Sequence, residues 1–138
     1  MPASSIQLKK LWTVGPLTVL AAVVGVLIVR AIARAILAPP YAPGLEILAL
    51  PIGLTLILCT AAVLVFAVVA RFARNATRTY IIISSIFLLI SFLPDVAVVS
   101  APMPGAGWPY SITLMIMHMV AGFTTVFMLT KLTVVDNQ

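Results

Sequence analysis

Four long apolar runs follow one another along the chain, separated by short breaks rich in proline, glycine or basic residues. The first, about residues 11–37, reads LWTVGPLTVLAAVVGVLIVRAIARAIL and stops at APPYAPG, where three prolines and a glycine cannot continue a helix. The second covers about residues 46–70, starting at Glu46 or at Pro51, because a first-turn proline gives up no intrahelical bond. RFARNATRT then connects to a third run at about 79–100, with Asn75 or Thr77 as its cap and Pro94 as a bend near its end. APMPGAGWP leads into a fourth at about 110–131, followed by a polar tail, LTVVDNQ.

Each run is close to the roughly 20 residues a helix needs to cross the hydrocarbon core of a bilayer. The breaks between runs are all short, so successive helices must be antiparallel neighbours. The expected fold is all-α: a single integral membrane domain over residues 1–138, an up-down-up-down four-helix bundle with short loops.

Composition agrees. Of the 138 residues, 63% are hydrophobic and 8% charged, and the mean hydropathy is +1.24, so there is too little polar surface to clothe a water-soluble domain. The net charge of +5 does not imply a nucleic-acid partner, because the basic residues flank the apolar runs. Lys9, Lys10, Arg71, Arg74, Arg78 and Lys131 fall on one side of the bilayer, Arg30 and Arg34 on the other. The positive-inside rule then puts both termini in the cytoplasm of a cell with this protein in its plasma membrane. A KK pair, an apolar run and AIA before Arg34 imitate a secretory signal peptide, but the run is longer than the usual apolar core, and it is read as a retained first span. The sequon NAT at Asn75 lies on the cytoplasmic side and is read as a helix cap.

Charge inside a span is costly and points inward or toward a cavity. Five ionisable groups qualify: Arg30, Arg34, Glu46, Asp95 and His118. At about 1.5 Å per residue, His118 lies about 12 Å and Asp95 about 8 Å below the outer boundary. Arg30 and Arg34 share one helix face, so Arg30 is expected to join Asp95 and His118 in a polar cluster while Arg34 reaches the interface. Met115, His118 and Met119 also share a face and would suit Cu(I). Methionine is commonly a flexible gap-filler, however, and neither metal nor cofactor is expected. Ala21 and Gly25, then Ala31 and Ala35, stand four apart and would admit another backbone closely.

One histidine excludes a bis-histidine haem held by a single chain. One cysteine, Cys59, excludes the paired-thiol chemistry of quinone-linked thiol oxidoreductases, and the first run lacks the glutamate of the small multidrug exporters. SFLPD (Ser91 to Asp95) and LMIMHMVAG (Leu114 to Gly122), set in the four-span layout, resemble an uncharacterised bacterial family of small four-helix membrane proteins, a domain of unknown function. The resemblance implies an inner-membrane protein and carries no activity with it.

With no legible nucleophile and base pair, the expectation is a non-enzymatic protein. It would be an accessory or assembly component, or a binder of a lipid-like ligand, with membrane lipids, a larger membrane complex or further copies of itself as partners. Two alternatives follow: a small transporter or proton-linked conductance using Asp95, His118 and Arg30, and a membrane enzyme acting on a lipid or quinone.

Overall fold

A computed structural model describes residues 5–6 and 8–135. Four long helices are present, each long and apolar enough to span a bilayer, and the protein is a polytopic membrane protein. A 3-10 turn at Leu8–Lys10 runs into α1, Leu11–Ile36. Its end is set by Pro39 and Pro40, since the residue before a proline is pushed out of helical geometry. The second apolar run is not one helix from 46 onward: a separate turn, α2 at Pro43–Glu46, opens on a proline, and α3 spans Ala49–Phe72 with Pro51 in its first turn. Helix α4, Ala76–Ala97, begins three residues earlier than expected because Asn75 caps it, its side-chain oxygen accepting from the Arg78 N–H at 3.3 Å. Pro94 does not end it, and a 3-10 turn at Val98–Ser100 extends it. Helix α5, Trp108–Leu132, also starts early, with Pro109 in its first turn. Within the tail, β2, Val134–Val135, lies antiparallel to β1, Ser5–Ile6, with Ser5 opposite Val135.

The long helices form a ring in which α1 packs on α3 and α5, and α4 packs on the same two from the far side. Thus α1 and α4 occupy opposite corners. One end of the bundle carries β1, β2 and the α3–α4 connection, here the terminal end; the other carries α2 and the α4–α5 loop, the loop end. Two apolar clusters fill these ends. At the terminal end Leu11, Val14, Phe66, Val69, Tyr80 and Leu129 meet, with the Phe66 and Tyr80 rings edge to face at 4.8 Å. At the loop end Val26, Ala33, Ala42, Leu45, Tyr110 and Met117 meet.

Between the clusters the interior narrows onto small side chains. Thr18 and Ala22 of α1 are fully buried, as are Thr55 and Cys59 of α3 and Thr125 of α5 to within a few per cent. Lipid is as apolar as leucine, so helices in a bilayer associate mainly by close packing and by polar contacts. Two of these threonine hydroxyls are satisfied within their own helices: Thr18 donates to the Val14 carbonyl at 2.7 Å and Thr125 to the Ala121 carbonyl at 2.7 Å. Gly25 sits where α1 is close against α5, and a Cβ there would stand 2.7 Å from Cγ1 of Val120. The packed stripe of α1 therefore runs through Thr18, Ala22, Gly25 and Val26; Ala21 is half-buried at its edge, and Ala31 and Ala35 are exposed.

A leucine at position 25 has to push α5 away from α1. Gly25→Leu is expected to cost about 1–3 kcal/mol, the usual range for overpacking, read as a lower melting temperature in lipid nanodiscs, whereas Ala31→Leu should melt like the parent protein.

Candidate functional site

The polar groups predicted to meet divide into two places. Asp95 and His118 come together across the α4–α5 interface, with Nδ1 of His118 2.8 Å from Oδ2 of Asp95. This is the one ion-pair contact among the described residues, and its two members are unequally covered: the Asp95 side chain is 4% exposed, that of His118 31%.

Helix direction explains how they reach each other. By rise per residue, His118 lies about 15 Å from the start of α5, while Asp95 lies less than about 10 Å from the end of the turn that extends α4. Side chains lean toward the N-terminus of their own helix. Because α4 runs toward the loop end and α5 away from it, Asp95 leans down and His118 leans up, which closes the gap.

Arg30 does not join them. Its Nη2 donates to the backbone carbonyl of Glu46 at 3.2 Å, and its Nε is buried without a partner. Two physical reasons act together: α1 and α4 sit on opposite corners of the ring, and the last carbonyls of the short α2 have no intrahelical donors, so a guanidinium beside them finds an acceptor at once. Arg34 is exposed and lies over the Tyr41 ring at 4.9 Å, and the Tyr41 hydroxyl donates to the Arg34 carbonyl at 3.1 Å. Glu46 is exposed and contributes its backbone to Arg30. Of the five predicted residues, Asp95 and His118 thus make a part-buried pair, Arg30 and Glu46 a separate junction at α2, and Arg34 stays exposed over Tyr41.

The methionines flanking His118 do not gather further ligands. Met119 is half exposed and Met115 partly covered, and no group of three or more His, Cys, Asp or Glu side chains fit to hold a metal ion occurs among the described residues.

Two features escaped the sequence reading. Tyr110, expected only as an interfacial aromatic, is buried, and its hydroxyl accepts from the Gly44 N–H at 3.1 Å, tying the start of α5 to α2. Beside it the α4–α5 loop passes against residues 40–42 at Gly105, whose φ of 71° and lack of a side chain both serve that approach.

The second feature is an apolar groove of about 290 Å³ between α4 and α5, lined by Ser84, Ser85, Leu88, Gly122, Phe123 and Phe127 among others. Phe123 and Phe127 are largely exposed, so the groove opens sideways toward the bilayer. Its lining follows the helical repeat: Gly122, Val126 and Thr130 stand four apart on α5, and Leu88, Ser84 and Ile81 stand three or four apart on α4. The His118–Asp95 pair lies on the loop-end side of the groove, His118 one turn before Gly122 and Asp95 two turns beyond Leu88, and is not part of its lining. The spacing was readable as a stripe in the sequence, but only the docking of α4 on α5 makes it a groove.

The family model for a family of unknown function, DUF6069, matches residues 6–134. The chain belongs to that family. No curated protein and no solved structure matches it.

Since Asp95 and His118 share a contact and Arg30 shares none with either, their energetics should separate. In a double-mutant cycle, Asp95→Ala and His118→Ala should each destabilise the bundle and together cost about 1 kcal/mol less than their sum. Arg30→Gln combined with Asp95→Ala should be additive within about 0.5 kcal/mol, both measured by unfolding in bicelles.

Proposed function

We propose that this member of the family is a non-enzymatic membrane protein that takes a lipid-like molecule from the bilayer into the α4–α5 seam. His118 and Asp95 serve as its polar contact, and the protein acts as an accessory or assembly component of the membrane. The observation that carries this reading is an apolar groove open to lipid in the same α4–α5 interface that holds, nearer the loop end, a buried carboxylate and a partly exposed imidazole. Binding sites combine mostly apolar walls with a few convergent polar groups, and a bilayer-facing groove of this kind suits an amphiphile. Ionisable side chains within a span are a recurrent sign of function.

A conducting role gains less support. The relay envisaged in the sequence had three members, and the turn of Arg30 toward Glu46 leaves two. Helices α3, α4 and α5 place no Asp, Glu, His, Lys or Arg between the pair and the basic residues at the terminal end, so a proton leaving His118 in that direction has no next carrier on these helices.

The Lys and Arg distribution orients the bundle in the plasma membrane with its terminal end in the cytoplasm and its loop end outside. The His118–Asp95 pair then lies in the outer half of the bilayer.

Two measurements test the proposal. Protein extracted in native nanodiscs should retain a lipid-like molecule by mass spectrometry, and both His118→Leu and Ser85→Trp, the latter filling the groove from an exposed position, should reduce its occupancy several-fold; retention unchanged in both variants would refute the seam. In a Cys59→Ala background, an impermeant thiol reagent added to intact cells should label the exposed positions Ala38→Cys and Ser100→Cys but spare Arg74→Cys. The reverse pattern would invert the orientation.

A further inference from the structure

Two guanidinium groups at the loop end have no counterion. An arginine side chain keeps its positive charge and offers only N–H donors at any physiological pH. Arg30 uses one of its nitrogens, Nη2, on the Glu46 carbonyl at 3.2 Å; its Nε is closed off without a partner, while Nη1 has no protein partner among the described residues and is not closed off from the surface. Arg34 is exposed, and its guanidinium rests over the Tyr41 ring at 4.9 Å. The one ion pair among the described residues engages Asp95 on α4, at the corner opposite α1. Glu46 lends its carbonyl to Arg30, but its exposed carboxylate pairs with neither arginine.

The arginines stand one helical turn apart on a single face of α1, with Cβ atoms roughly 5–6 Å apart, a spacing at which like charges repel. The C-terminal end of the α1 dipole favours cations there but supplies no anion. Their height is set by what they touch. Glu46 closes α2, three residues before α3 begins at Ala49, and Tyr41 lies in the connection that follows α1. Both guanidiniums are therefore held at the ends of the spans, the level at which the hydrocarbon core gives way to lipid head groups.

We infer that Arg30 and Arg34 form a site for the phosphate of an anionic phospholipid in the leaflet at the loop end. Non-bridging phosphate oxygens accept from Nη1 of Arg30 and from the N–H groups of Arg34. Guanidinium matches phosphate in geometry as well as in charge. A zwitterionic lipid brings its own ammonium group beside its phosphate and so compensates the two arginines less. The site lies on α1, across the ring from α4, and stands or falls separately from the α4–α5 seam.

The experiment titrates the full chain, in micelles of an uncharged detergent, with phosphatidylglycerol and with phosphatidylcholine of the same acyl chains. Native mass spectrometry reads the affinity of the first lipid bound. Phosphatidylglycerol is expected to bind at least fivefold more tightly, and Arg30→Gln and Arg34→Gln should each weaken it about fivefold, the scale of one basic side chain at an anionic surface. Arg34 is exposed, so its replacement tests the site without disturbing the packing. Arg74→Gln, an exposed change at the terminal end, should leave the affinity as it is. Equal affinity for the two lipids, a preference that survives Arg34→Gln and the double change at 30 and 34, or one lost in Arg74→Gln instead, would overturn the inference. Inorganic phosphate at the concentration of the lipid should not displace it; displacement would overturn the lipid as the source of the phosphate.

Discussion

Hydrocarbon offers no partner to a polar group, and that constraint organises this protein more than any single contact. Backbone groups meet it by being helical. Buried threonines meet it by donating to carbonyls one turn back, as Thr18 does to Val14 and Thr130 to Val126. Arg30 meets it in part at the carbonyl end of α2, and Asp95 meets it at His118. Where interruption of the helix is unavoidable, at α2 and the loop before α5, Tyr110 and Gly105 bind the two irregular segments to each other at the loop end.

Close packing follows from the same source. With no hydrophobic gain in pressing helix to helix through lipid, association depends on how near the backbones can come. Along α1 the small residues Thr18, Ala22 and Gly25 let α3 and α5 approach, and at Gly25 there is no room for a Cβ beside Val120. Helix α4 has no comparable stripe. Its serines and leucines meet α5 less completely, and the incomplete contact is the groove.

The seam thus joins a better covered helix, α5, to a loosely covered one, α4. Asp95 sits on the loosely covered helix and His118 on the other, so their hydrogen bond fastens α4 to α5 near the loop end while the remaining interface stays open to the bilayer.

The number of spans and the antiparallel layout were legible in the sequence, because apolar runs of bilayer length joined by short breaks admit few other arrangements. The encounter of Asp95 with His118 could be anticipated from depth, since helical rise fixes how far into the membrane a residue lies. Depth does not fix azimuth. Arg30 lies in the same half of the bilayer, yet the ring order of the helices sets α1 opposite α4, and the turn of α2, most of it in what read as the loop before the second apolar run, supplied a nearer acceptor. The groove, too, exists only once α4 docks on α5, for a stripe of small and polar residues on each helix becomes a cavity only through the spacing between them. Apolar periodicity carries information along each helix axis; which faces then meet is decided by packing among all four, and that belongs to the tertiary structure.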